Sequence, residues 1–250
     1  MPVFTPASGA VLKTEMRLFT REPGTLFWVL VFPPVLLAAF GLIPGYKQPN
    51  ADLGGLRAID VFVSSTVLVA LITASLQAMP SALTGYRERG ILRRMRTTPA
   101  RSADLLIAQM VLHLAAALLA SLLVLALGKL AYDVALPQNP LAYAVTLALA
   151  ALALLAMGAV ITSVARTAKA ATAIGLTVFF PAMFAAGIYV PIQVLPETLQ
   201  QIVELTPFGA AAQALGEAST GGWPAWDHLA VLGLWGVVFM ATAARWFRWE

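Results

Sequence analysis

Six stretches of the chain are apolar for long enough to cross a bilayer as helix: Leu26–Pro44, Ile59–Met79, Leu105–Leu127, Leu141–Val164, Ala170–Val190 and His228–Ala244. Each is close to the roughly 20 residues that a helix needs to traverse the hydrocarbon layer. The first is expected to be an uncleaved span, because its apolar region is long and both charge signs precede it. Before it, Leu12, Met16 and Phe19 recur at helical spacing while Lys13, Arg17 and Arg21 form a basic stripe at intervals of four. That pattern predicts an amphipathic helix lying on the membrane surface. After the fifth run, Gly187, Pro191, Pro196 and Pro207 punctuate a stretch that alternates apolar and polar residues without another clean span. Broken backbone at membrane depth needs cover from protein or water. Short helices dipping back into the outer leaflet are therefore expected, roughly Glu197–Leu205 and Phe208–Ala218; an ordinary outer loop with surface helices has the same pattern.

The fold class that follows is an all-α membrane protein. Residues 1–25 form the N-terminal amphipathic segment and 26–244 a six-span domain, with a loop at 80–104 and the interrupted region at 191–222. Residues 245–250 form a short tail. Composition agrees, since 60% of residues are hydrophobic and 11% charged, with mean hydropathy +0.81, against about 25% charged in soluble domains. The net charge of +4 does not point to nucleic acid, because the basic residues sit at the edges of apolar spans, where they set topology.

Placing both termini in the cytosol puts thirteen Lys and Arg inside and leaves only Lys47, Arg57 and Lys129 outside, which accounts for all sixteen. Aromatic residues fall at both interfaces: Phe27, Trp28, Tyr86, Trp246 and Trp249 inside, and Tyr46, Tyr132, Tyr143, Tyr189, Trp223 and Trp226 outside.

The segment Tyr86–Arg101 alone carries six of the sixteen basic residues. Arg89, Arg93 and Arg96 share one helical face and Ile91, Leu92 and Met95 another, which predicts a short helix stopped by Pro99, with Ser102 placed to cap the next one. Topology and lipid phosphates account for the arginines on one reading, and docking of a cytosolic partner on the other. Gln77, Gln109 and His113 are costly in hydrocarbon and should face other helices or a cavity. Gln109 and His113 lie four apart, on one face; an interhelical hydrogen bond and a proton relay are both open to His113.

Several chemistries are not supported. No cysteine is present and the two histidines are far apart, so no metal site is expected. The phosphate-binding pattern G-x-x-x-x-G-K-[ST] is absent, as are H-E-x-x-H and G-x-S-x-G. An ion-coupled carrier usually needs a carboxylate near the midplane, and Asp60 and Asp104 lie at span edges.

The sixfold span pattern, the amphipathic start, the loop Arg87-Glu-Arg-Gly-Ile-Leu-Arg-Arg-Met-Arg-Thr-Thr-Pro99, and Gly187-Ile-Tyr-Val-Pro191 followed by Leu195-Pro196 and Thr206-Pro207 resemble the permease subunit of type-2 ATP-binding-cassette exporters, most closely the drug- and antibiotic-efflux branch. The resemblance runs over nearly the whole chain. It implies a homodimer of permeases in a bacterial plasma membrane, above two copies of a separate cytosolic ATPase that holds the ATP and Mg; this chain itself would hold no cofactor.

By the resemblance, Glu88–Arg96 is the helix that couples to the ATPase, through Glu88, Arg89, Ile91, Leu92, Arg93, Met95 and Arg96, with Lys13, Arg17 and Arg21 of the N-terminal helix beside it. Ile91, Leu92 and Met95 would form the buried face of that joint. The cargo path is expected between the first, second and fifth spans, past Phe32, Phe40, Phe179, Phe180, Met183 and Phe184. Their aromatic and thioether surface suits hydrophobic or amphipathic small molecules, though a lipid-facing or core stripe looks the same in sequence. Pro33-Pro34 and Pro181 are expected to kink their helices. Glycolipid or polysaccharide export is the alternative cargo class.

Overall fold

The structure, a computed structural model, describes residues 6–95 and 102–246, without the side chains of residues 6–8, 93, 95, 102 and 103. An interface helix, Pro6–Phe19, is followed by six helices long and apolar enough to cross a membrane: Pro23–Gly41, Ala58–Glu88, Asp104–Tyr132, Pro140–Val164, Ala168–Ala185 and Trp226–Trp246, here spans one to six. A five-residue loop helix, Ile91–Met95, hangs between spans two and three. Two short helices, Glu197–Glu204 and Pro207–Ser219, stand between spans five and six.

Span two is the centre of the bundle. Of its most apolar stretch 89% is buried, against 22% for span one and 11% for span six, which lies along span four with its outer face bare. The sequence pattern ends span two at Met79, because Pro80 lacks an N–H and its ring clashes with the preceding turn. The helix instead continues through Pro80 to Glu88. A π turn over Ala74–Ala78, closed by Met79 N–H donating to the Ala74 carbonyl, widens the helix just before the proline and absorbs it. Span one repeats the device. Its π turn, Phe27–Val31, precedes Pro33-Pro34, with Phe32 N–H donating to the Phe27 carbonyl.

The π turn of span two is also where its neighbours come closest. A Cβ on Gly158 of span four would collide with the Ser75 carbonyl oxygen, and one on Gly175 of span five with that of Leu76. Both glycines let backbone pack on backbone, as small residues do in membrane bundles.

Helix starts follow local chemistry. Asn139 accepts from Ala142 N–H ahead of Pro140, Thr167 from Ala170 N–H, and Thr206 from Gly209 N–H ahead of Pro207. The cap expected of Ser102 lies outside the described side chains.

At the end of the bundle away from the basic loop, Arg57 joins two spans. Its guanidinium bonds Asp60 twice, at 2.9 and 2.6 Å, and donates to the last carbonyl of span three, Tyr132 at 3.1 Å, and to the one after it, Asp133 at 3.3 Å. The Asp60 hydrogen bonds hold the Arg57 pKa above its ordinary value. The helix pair between spans five and six reaches well down the bundle: the Leu205 carbonyl, at its turn, accepts from Trp235 Nε1 at 2.9 Å, nine residues into span six.

Candidate functional site

Spans one, two and five line a cavity of about 780 Å³ that is partly open. Span one contributes Trp28, Phe32, Leu36 and Phe40, span five Leu176, Phe179, Phe180 and Met183, and span two Thr73 and Gln77. Among the described residues, no charged one lines it. Thr73 Oγ1 is satisfied by donating to the Val69 carbonyl at 2.8 Å. Gln77 Nε2 is buried without a hydrogen-bond partner among the described residues, which leaves an amide donor in a largely apolar wall whose other polar groups include the hydroxyls of Thr73, Tyr46 and Tyr189.

The rings are arranged edge to face, Phe179 against Phe180 at 5.8 Å, and Phe32 tilted against Trp28 at 5.0 Å. Phe180 remains 59% exposed, so this wall is open to a ligand or a second chain. Of the aromatic and thioether residues singled out in the sequence, Phe32, Phe40, Phe179, Phe180 and Met183 meet here. Phe184 does not: in the last turn of span five it packs partly buried against the core, beyond the stripe that Leu176, Phe179, Phe180 and Met183 make at helical spacing. Trp28 and Gln77 were not assigned to this path from the sequence, although a glutamine inside an apolar span was itself a signal.

The basic end is built differently from the expected single helix over Glu88–Arg96. Glu88 closes span two. The chain then turns at Arg89-Gly90, with Gly90 at φ +65°, before Ile91–Met95 begins; a left-handed turn of this kind is easiest for glycine. Glu88, Arg89 and Arg94 are exposed and Ile91 is half-buried, but Leu92 is 5% exposed, turned into a cluster with Met79, Leu83 and Leu105. Leu92 is thus held by this chain's own core. The side chains of Arg93 and Met95, and Arg96 altogether, lie outside the described residues.

Lys13, Arg17 and Arg21 are exposed. The expected interface helix is present, with Leu12 half-buried. Met16 is 51% exposed, and the inward line is Val11, Glu15 and Phe19. Glu15 is buried, its Oε2 accepting from Tyr86 Oη at 2.8 Å and Gln109 Nε2 at 2.6 Å. Burial raises its carboxyl pKa; the two hydrogen bonds pull it back, and nearby Glu22 adds to the rise. Phe19 meets the His113 ring edge to face at 5.4 Å, and His113 Nδ1 lies 2.8 Å from the Gln109 carbonyl.

A family model for the ABC-2 type transporter matches residues 7–217, from the interface helix to the second of the two short helices. The chain belongs to the ABC-2 type transporter family. It is also similar to the "Putative transport permease YvfS" of Bacillus subtilis (strain 168), with 23% identity over 231 residues, covering 90% of this chain and 91% of that one. The six apolar helices are therefore those of a multi-pass ABC-2 permease, a transmembrane transport subunit of an ABC system.

Proposed function

We propose that this permease exports a hydrophobic or amphipathic small molecule, a drug or antibiotic among them, driven by a separate ATPase that binds ATP and Mg. The observation that carries this reading is the uncharged, aromatic cavity between spans one, two and five. Its volume of about 780 Å³ lies within the ~300–1,000 Å³ of small-molecule sites. Its largely apolar lining suits a molecule that partitions into lipid first and argues against a polysaccharide.

In this reading both termini and the Tyr86–Arg94 end face the cytosol of a bacterial cell, an orientation that the thirteen-to-three distribution of basic residues supports. The ATPase docks on Glu88, Arg89, Ile91, Arg93, Arg94, Met95 and Arg96, with Lys13, Arg17 and Arg21 beside it. A second permease copy closes the open wall at Phe180 to make a homodimer over two ATPases. The helices Glu197–Glu204 and Pro207–Ser219 are re-entrant in the outer leaflet, which the Trp235–Leu205 bond supports. ATP drives transport only through contacts that differ between nucleotide states.

The test is ATP hydrolysis by the purified permease–ATPase complex in lipid nanodiscs, stimulated by a panel of apolar and amphipathic drugs. Phe179→Ala and Phe180→Ala should shift the stimulating concentration about tenfold, the scale of one aromatic contact, and Phe184→Ala should leave it in place. Equal responses of all three variants to the parental chain would overturn the cavity assignment.

A further inference from the structure

Tyr86 and Arg87 are neighbours in the last turn of span two, and they hold opposite sides of the bundle. Tyr86 donates to the buried Glu15 carboxylate of the interface helix, and the same oxygen takes Gln109 from span three. Arg87 reaches the other way: its Nη1 donates to carbonyls at the end of span four, Thr162 in its last turn at 3.2 Å and Ala165 just past it at 2.7 Å, where a cation also meets the negative end of the helix dipole. Three residues further on, Gly90 forms the turn from which the loop helix hangs.

Taken alone, a five-residue helix on a glycine turn would swing without moving anything behind it. Leu92 prevents part of that by sitting in the Met79, Leu83 and Leu105 cluster. The polar contacts do the rest. A carboxylate is otherwise misplaced on the inward face of an amphipathic helix, since burying it is costly unless its lone pairs are met. Here it has two donors, and charge-assisted bonds in a water-poor setting are strong and directional. The groups facing it are Tyr86 from span two, Gln109 and His113 from span three, and Glu22 beyond the interface helix, with Arg89 near Tyr86.

We propose that Glu15, Tyr86 and Arg87 form a clasp by which a displacement of the loop helix carries the interface helix, span two and the closing turn of span four with it. These are positioning residues. They touch neither cargo nor nucleotide; they decide whether movement at the basic end reaches the spans or is absorbed at Gly90. The inference rests on the proposed docking of an ATPase at that end.

The chain has no cysteine, so a single one reports cleanly. Ser65→Cys lines a separate polar cavity of about 510 Å³ at the opposite end. Its rate of modification by a membrane-impermeant maleimide is measured in intact cells with and without ATP depletion, together with ATPase co-purification and ATP hydrolysis. In the parental Ser65→Cys chain the rate should depend on ATP. Glu15→Leu and Tyr86→Phe should keep the ATPase bound and hydrolysing, while the ATP-dependent difference in rate shrinks about tenfold, the weight of one charge-assisted hydrogen bond. Glu15→Gln keeps an oxygen that both donors can reach and should restore the difference.

A parental ATP response in both Glu15→Leu and Tyr86→Phe would overturn the clasp. So would loss of the ATPase from both, which would make the network a docking element. An absent ATP response in the parental chain would instead strike the ATPase reading itself, and the clasp with it.

Discussion

Ile91 and Leu92 are adjacent, similar in size and chemistry, and predicted here to do different work. Leu92 is sealed by Met79, Leu83 and Leu105, with Leu155 and Ala159 of span four and Ala243 of span six closing the same cluster. Truncating a sealed leucine to alanine costs about 2–5 kcal/mol, from lost transfer energy and the cavity left behind. The loop helix is short enough to relax toward the gap, so Leu92→Ala falls at the lower end, about 2–3 kcal/mol. At about 2–4 °C per kcal/mol for a chain of this length, the melting temperature should drop by roughly 4–12 °C.

Ile91 is half-buried, and Ile91→Ala should cost about 1 kcal/mol or less. The assay is fluorescence-detected size exclusion after graded heating, run beside a pull-down of the ATPase at a temperature where both variants are folded. Leu92→Ala should melt early and still bind. Ile91→Ala should melt near the parental temperature and bind weakly. A Leu92→Ala chain with unchanged melting and no bound ATPase would refute the assignment of Leu92 to the permease core.

Arg57→Ala removes the Asp60 pair and the donors to Tyr132 and Asp133, and should lower stability by about 1–3 kcal/mol in the same heating assay; Arg57→Lys should recover little, because an ammonium cannot reproduce the fork. Gly175→Ala sets a methyl against the Leu76 carbonyl and should cost about 1–3 kcal/mol by overpacking, whereas a stabilised Gly175→Ala would show that spans two and five are not in backbone contact. Glu15 has a raised carboxyl pKa in the folded chain, so it favours docking of the interface helix most at low pH and loses that contribution as pH climbs above its ordinary 4.5. A protonated-carboxyl infrared band should titrate above that value and vanish in Glu15→Gln; a band indifferent to this substitution would contradict the buried setting of Glu15.

The spans themselves were readable because an apolar run of bilayer length has few other fates. Their ends were less so. Pro80 has the local chemistry of a helix stop, and only the π turn before it, which has no sequence signature of its own here, lets span two continue to Glu88. The interface helix was legible as an element, but apolar periodicity does not separate a side facing lipid from one facing protein. Met16 is exposed and Phe19 packs against the core, while Glu15, which spacing alone does not distinguish from Lys13 and Arg17, is buried. Leu92 shared the same ambiguity, apolar on a short helix and claimed by the nearest core. In the cavity, the stripe through Phe179, Phe180 and Met183 was visible at helical spacing, but the aromatic Trp28 and the amide of Gln77 joined it only through the crossing of three helices, which one helix's spacing does not encode.

The central claim is that this permease works with a separate ATPase seated at its basic end. The most direct measurement is quantitative mass spectrometry of the chain purified from its own membranes in mild detergent, with ATP hydrolysis assayed on the same sample. The account predicts a cytosolic chain bearing a phosphate-binding loop in comparable amount, hydrolysis that depends on it, and loss of both on Ile91→Asp but not on Phe180→Ala. A reproducibly solitary permease, or an ATPase held equally well by Ile91→Asp, would contradict it.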